Sequence, residues 1–200
     1  IVYGAECMRD QLLGCEFDIS PTAFYQTNPQ QTELLYQLAI DGMDLHQGDV
    51  LMDAYCGSGT IGLCAAKDAQ NKGIGIMLLG VERNPAGIAD ARRNAELNGL
   101  TRSAWFMADD ATDCILDAAD NNERVDVLSI DPPRAGLHAN VIAKLLEAKP
   151  PRIIYLSCNP VTQARDIALL AEKYGIRAHR GYNFFPRTPH IEHLVILDRI

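Results

Sequence analysis

From residue 49 onward, short apolar runs alternate with stretches of helical period. The runs at 49–54, 75–81, 103–107, 125–130 and 152–157 are strand-sized and apolar nearly throughout, the pattern of strands buried on both faces. Between and after them, 59–67, 85–98, 111–119, 138–147 and 161–173 carry apolar residues at helical spacing. Two further strands are predicted at 176–184 and 192–198. This alternation predicts an α/β fold, a mostly parallel sheet with helices on both faces. Ahead of it, 29–43 reads as a helix with Pro29 near its start. Two apolar runs, 1–4 and 12–19, read as a hairpin or lid. The chain thus divides into an N-terminal hairpin and helix, 1–48, and a main α/β domain, 49–200.

Four loops in this pattern carry candidate chemistry. The first, Asp53-Ala54-Tyr55-Cys56-Gly57-Ser58-Gly59-Thr60-Ile61-Gly62, leaves a strand and opens a helix. Gly57, Gly59 and Gly62 match GxGxxG, which permits a tight turn and close backbone approach to a ligand. A bare βα turn is the plain alternative, and the strand–turn–helix context argues against it. The next strand ends Gly80-Val81-Glu82, where an acid can take both hydroxyls of a ribose. Glu82 lies further from Asp53 than a minimal unit requires, with 70–73 read as the extra loop. Nicotinamide and S-adenosylmethionine enzymes share these features. The acid Asp53 opening the motif favours the latter. Asp109 or Asp110, after the third strand, reads either as a contact to an adenine amino group or as a helix N-cap.

The loop Asp131-Pro132-Pro133-Arg134-Ala135-Gly136 follows another strand. Two prolines fix its backbone and remove two N–H donors. In methyltransferases that act on base amines, an aromatic residue usually follows such a Pro-Pro. Here Arg134 stands there, which argues against amine methylation and leaves a carboxylate and a cation toward a substrate. The last loop, Ser157-Cys158-Asn159-Pro160, joins a buried strand to a helix. Cys158 therefore sits where open α/β sheets place ligands, near a helix N-terminus whose dipole favours thiolate. By itself a cysteine is more often a packed small hydrophobe.

Composition narrows the classes. At 200 residues, 48% hydrophobic and 22% charged, the chain fits one soluble globular domain. No run approaches the roughly 18 apolar residues of a membrane span, and no signal peptide is visible. The six cysteines form no CxxC pair, which favours free thiols in a reducing cytoplasm over disulfides or zinc. His190 and His193 flank Glu192 without further ligands, so no metal is assigned. The net charge of −8 is opposite to that of a nucleic-acid-binding module, so any such binding is delegated to another part of the protein. The start, Ile1-Val2-Tyr3, reads as that of a catalytic domain belonging to a longer chain.

Together these loops, with Phe24-Tyr25-Gln26-Thr27-Asn28 and Phe185-Pro186-Arg187-Thr188-Pro189-His190-Ile191-Glu192, resemble the RNA uracil-5-methyltransferase family over nearly the whole chain. The resemblance is nearer to the 23S ribosomal RNA branch than to the transfer RNA branch. It implies a Rossmann-like methyltransferase domain over 49–200, with S-adenosylmethionine held by Gln26, Tyr55, Gly57, Thr60, Glu82, Asp109 and Asp131. Thr60 stands where relatives often have Asn. Asp131 and Arg134 would meet the substrate. Cys158 would be the nucleophile that adds to uracil C6, activated by the helix N-terminus and nearby polar groups, and Glu192 the base that removes the C5 proton. Without the resemblance, Glu192 reads as a surface acid at a strand edge. Family members generally carry an N-terminal OB-type RNA-binding domain and, in some, an iron–sulfur cluster; neither is in this sequence. Transfer RNA uracil methylation, base-amine methylation, a non-catalytic RNA-binding scaffold and a dehydrogenase are the alternatives.

Overall fold

A computed structural model describes residues 7–200. The predicted apolar run at 1–4 lies outside the described residues. A two-stranded antiparallel hairpin, β1 (Met8–Leu12) and β2 (Cys15–Ile19), opens the described chain. Helix α1 (Pro29–Met43) follows, capped by the Asn28 side chain, which accepts from the Gln31 amide, with Pro29 in its first turn. Then come β3 (Val50–Ala54), α2 (Thr60–Asn71), β4 (Met77–Glu82), α3 (Pro85–Leu97), β5 (Ala104–Ala108) and α4 (Ala111–Asp120). The chain finishes with β6 (Val127–Ile130), α5 (Ala139–Ala148), β7 (Arg152–Ser157), α6 (Pro160–Leu170), β8 (Tyr174–Tyr182) and β9 (Glu192–Arg199).

The seven main strands form one sheet in the order β5-β4-β3-β6-β7-β9-β8. The first five are parallel, and β9 enters antiparallel between β7 and β8. The strand order reverses between β3 and β6, so the loops after those strands emerge side by side at the place where doubly wound sheets bind ligands. Two cores flank the sheet. One joins α1, α2, α3 and the hairpin through Phe17, Leu35, Met43, Leu63 and Ile88. The other joins α4, α5 and the end of α6 through Ile115, Val141, Leu145 and Leu170. Strand β7 shows why this is a double-faced sheet: Ile153, Ile154 and Tyr155 are all fully buried, with odd and even positions covered alike.

The predicted elements from 29 onward are all present, with shifts at their ends; the N-terminal hairpin instead pairs the largely polar Met8–Leu12 with Cys15–Ile19, so its turn falls inside the predicted apolar run at 12–19. Helix α2 runs on to Asn71, so the expected loop at 70–73 is its last turn and C-cap; the Lys72 amide bonds back to Asp68 and Ala69. Strand β6 begins at Val127 rather than 125. The preceding Asp126 instead accepts the Val50 amide at 2.8 Å, tying the entry of β6 to the start of β3. Helix α6 stops at Leu170, and the following strand starts at Tyr174, two residues earlier than its pattern suggests. No helix among the described residues is long and apolar enough to cross a membrane.

Candidate active site

The glycine loop after β3 is held by two carboxylates. Asp53, 2% exposed at the end of β3, accepts the Gly62 amide through Oδ2 at 3.1 Å and so seats the first turn of α2 on its strand. Only glycine fits at 62, because a Cβ there would stand 2.8 Å from both Asp53 Oδ2 and Leu78. Burial pushes the Asp53 carboxyl up to about 7, against the opposing pull of the Ser129 hydroxyl and the Gly62 amide. Glu82, at the tip of β4, accepts the Gly57 amide at 3.3 Å and the Asn84 amide at 2.7 Å. Tyr55 takes a positive φ of 66° in the same loop, a conformation that costs a non-glycine residue about 1 kcal/mol and clusters at functional sites.

Above this loop lies an open cleft of about 440 Å³. Of the residues expected to hold a cofactor, Gln26, Tyr55, Gly57, Thr60 and Asp131 line it, with Asp53 at its floor. Tyr36 of α1, which sequence reasoning missed, lines it too and shares a 3.0 Å hydrogen bond between its hydroxyl and that of Thr60. The hydroxyls of Tyr25 and Ser58, both lining residues, are buried without a partner among the described residues. Such groups are costly unless a ligand or water meets them. Asp109 stands apart: it is exposed beyond β5, and its carboxylate accepts the Asp110 amide. The N-cap role belongs to Asp110, which accepts the Thr112 amide at 2.8 Å.

Four groups gather next to the cleft, at the ends of β6, β7 and β9. Cys158, half-buried, feels the carboxylates of Glu192 and Asp131 and the opposing guanidinium of Arg134. Glu192 is only 8% exposed, not the surface acid that its sequence context alone suggests. Burial raises its carboxyl, and Arg134 opposes the rise. Asp131, desolvated and beside Glu192, is pushed up to about 7. Arg134 thus places one exposed cation among two acids and a thiol.

The expected activation of Cys158 is not what these surroundings produce. Burial raises its thiol, Glu192 and Asp131 add to the rise, and only Arg134 opposes it. The helix N-terminus behind it is already occupied. Asn159 Oδ1 accepts the Val161 amide, and Pro160 has no N–H to offer. The surroundings therefore favour the thiol over the thiolate.

The two loops that carry the cluster are pinned to each other by Asn159 and Gly136 of the motifs themselves and by Thr162 and Asp166, which the sequence pattern reads as ordinary helix. The Arg134 carbonyl accepts from Asn159 Nδ2 at 2.9 Å and from Thr162 Oγ1 at 3.1 Å. Asp166, fully buried in α6, accepts the Leu137 amide at 2.8 Å and the Tyr155 hydroxyl at 2.7 Å, and pairs with Arg165. Gly136, at φ 78°, completes the joint: a Cβ there would lie 2.5 Å from Asp166 Oδ2. Among the described residues no group of three or more His, Cys, Asp or Glu side chains could hold a metal ion.

The sheet order, the glycine cleft and the acid at the tip of β4 define the class: a Rossmann-like fold of the S-adenosylmethionine-dependent methyltransferases. A methyltransferase of this kind from Agrobacterium tumefaciens superposes with a TM-score of 0.70 over 98% of this chain and 71% of its own, at 15% identity, a likeness of fold alone. Residues 14–200 match the model of the tRNA (uracil-5-)-methyltransferase family, and the chain belongs to that family. A protein of Lactiplantibacillus plantarum named as an uncharacterized RNA methyltransferase is 44% identical over all of this chain and 42% of its own length. One of Enterococcus faecalis bearing the same name is 40% identical over the same shares. The crystal structure of the Pyrococcus abyssi tRNA (uracil-54, C5)-methyltransferase with S-adenosyl-L-homocysteine superposes with a TM-score of 0.77. It is 34% identical, over 98% of this chain and 45% of that one. The chain therefore spans less than half the length of these three RNA methyltransferase relatives.

Proposed function

We propose that this chain is the catalytic domain of an S-adenosylmethionine-dependent enzyme that methylates C5 of a uridine in RNA. The observation that carries the reading is the cluster of Cys158, Glu192, Asp131 and Arg134, drawn from three strand ends to one side of the cleft. The cleft fits the cofactor: acids, the glycine-loop backbone and Ser58, whose buried hydroxyl lacks a partner among the described residues, line it. Gln26, Tyr55, Gly57, Thr60 and Asp131 would hold the cofactor, with Glu82 and Asp109 toward its nucleoside end. Bound there, the cofactor supplies an electrophilic methyl group.

Uracil C5 is a weak nucleophile, and the residues supply what it lacks. The Cys158 sulfur adds to C6, and its proton leaves to a neighbouring carboxylate or water. Electron density then rises at C5 and O4. Arg134 meets the developing oxyanion, and Asp131, protonated near neutral pH, donates a hydrogen bond to the ring. After C5 has taken the methyl group, Glu192 removes the C5 proton, the C5–C6 double bond re-forms and the Cys158 thiolate leaves. A raised Glu192 carboxyl suits that step, because it is a stronger base than an exposed glutamate. The target uridine must leave its stack to reach the cluster, at about a few kcal/mol and less in a loop.

The family motifs favour 23S ribosomal RNA as the substrate, with RNA binding aided by an OB-type domain outside this sequence. Transfer RNA is the second reading, favoured by the likeness to the Pyrococcus abyssi enzyme. The protein with Cys158→Ala is expected to bind cofactor and transfer no methyl group. Glu192→Gln is expected to accumulate a denaturant-resistant RNA–protein adduct. Methylation by Cys158→Ala would overturn the mechanism. Mass mapping of 5-methyluridine in RNA from cells with and without the gene decides between ribosomal and transfer RNA.

A further inference from the structure

Gln163 is an amide with no place in the chemistry above, yet it is 1% exposed and fully engaged. It lies on α6, the helix that opens two residues after Cys158. Its Nε2 donates to the Tyr155 carbonyl of β7 at 2.8 Å and to the His193 carbonyl of β9 at 3.2 Å. Its Oε1 lies 2.6 Å from His193 Nδ1. Because Nε2 spends both its protons on carbonyls, Oε1 must accept, and the His193 ring must carry its proton on Nδ1. One side chain therefore spans the nucleophile's helix, the nucleophile's strand and the residue next to Glu192.

We propose that Gln163 is a positioning residue for Glu192: it clamps the first turn-out of β9 against β7 and α6 and so fixes the candidate base over the C5 proton. The inference rests on the roles proposed for Cys158 and Glu192. The two halves of the cluster are held by different contacts. Cys158 is flanked by a separate set: Ser157 Oγ accepts the Asn159 amide, Asn159 caps α6, and Asn159 and Thr162 grip the Arg134 carbonyl. None of these involves Gln163. Glu192, the first residue of β9, pairs across only to Tyr182 of the edge strand β8, while the pairing of β9 with β7 begins one residue later, at His193 opposite Ser157. At that point the Gln163 amide is the side-chain hold on the strand. Loosening it frees the base and leaves the nucleophile in place.

Gln163→Met keeps the volume and removes the clamp. The test uses the protein with its native flanking sequence and two RNA probes, total RNA from cells lacking the enzyme and the same RNA carrying 5-fluorouridine. Fluorine at C5 cannot be removed as a proton, so with S-adenosylmethionine present that probe stops at the methylated adduct and reads thiol addition and methyl transfer without the base step. Gln163→Met is expected to trap 5-fluorouridine RNA within about twofold of the wild-type rate. On ordinary RNA its adduct is expected to persist at least tenfold longer. His193→Phe, which leaves Gln163 in place but removes the ring N–H that orients its amide, is expected to lengthen the adduct lifetime in the same direction by a smaller factor. Adduct lifetimes on ordinary RNA within twofold of wild type in the folded variants would overturn the clamp, as would equal losses with both probes, the mark of general loosening. Cys158→Ala run in parallel separates this failure from that of the mechanism: trapping by that variant would remove the nucleophile itself.

Discussion

Asp53 ties the stability of the chain to pH in a way that one substitution can isolate. Its carboxyl is pushed from an ordinary value of 3.8 to about 7 by burial. The folded protein therefore holds this proton more tightly than the unfolded chain does. The contribution of Asp53 to stability is greatest below about pH 4, falls as pH rises between the two values, and levels off above about pH 7. A difference of roughly three pH units corresponds to roughly 4 kcal/mol in full, of which about 2 to 3 kcal/mol is lost between about pH 5 and pH 8. Asp53→Asn mimics the protonated acid: its oxygen still accepts the Gly62 amide, and its NH₂ can reach the Ser129 hydroxyl. The variant's advantage over wild type is expected to be about 2 to 3 kcal/mol larger near pH 8 than near pH 5. Urea unfolding at both values, with the denaturant slope checked for constancy, measures the difference. The other titrating groups, Asp131 included, are present in both proteins and largely cancel. Parallel pH dependences for the two proteins would refute the assignment of a buried, proton-holding Asp53.

Gly136→Ala is expected to destabilise by about 2 kcal/mol or more, because it forces a side chain into a left-handed backbone and against Asp166; thermal unfolding reads the loss. Asp166→Ala strands the buried Tyr155 hydroxyl and Leu137 amide and should cost about 3 kcal/mol, measured by urea unfolding. Arg134→Gln removes the one group that lowers the Cys158 thiol, so alkylation of that cysteine near pH 8 should slow further, as peptide mapping after iodoacetamide would show.

Much of this architecture was legible because it is written in short-range pattern. Buried strands such as Ile153-Ile154-Tyr155 announce themselves by composition, and Asn159-Pro160 carries its cap and its N1 proline side by side. Element ends were less legible, because they depend on partners elsewhere. The start of β6 is set by the bond between Asp126 and Val50, which lie 76 positions apart. The site divides in the same way. Loop residues such as Tyr55, Asp131 and Cys158 stood out by motif. Tyr36, Gln163 and Asp166 did not, because on a helix each reads as one more polar or aromatic position until the sheet brings Thr60, His193 or Leu137 against it. The surroundings of Cys158 divide the same way: a helix N-terminus is visible in sequence, whereas the burial and the carboxylates of Glu192 and Asp131 that raise its thiol come from the packed fold.

The antiparallel insertion of β9 also governs the order in which a working molecule can appear during translation. Strand β7 emerges from the ribosome with Cys158 already at its tip, but its outer edge has no neighbour until residues 192–199 arrive. Strand β8, made first, pairs with β9 and not with β7, so it must wait undocked for a strand synthesised after it. A product that terminates early between the two would carry Cys158 without the group proposed to free it from RNA. It would also expose an apolar sheet edge, the feature that promotes aggregation and clearance. Completing the sheet and completing the proposed cluster thus become one event.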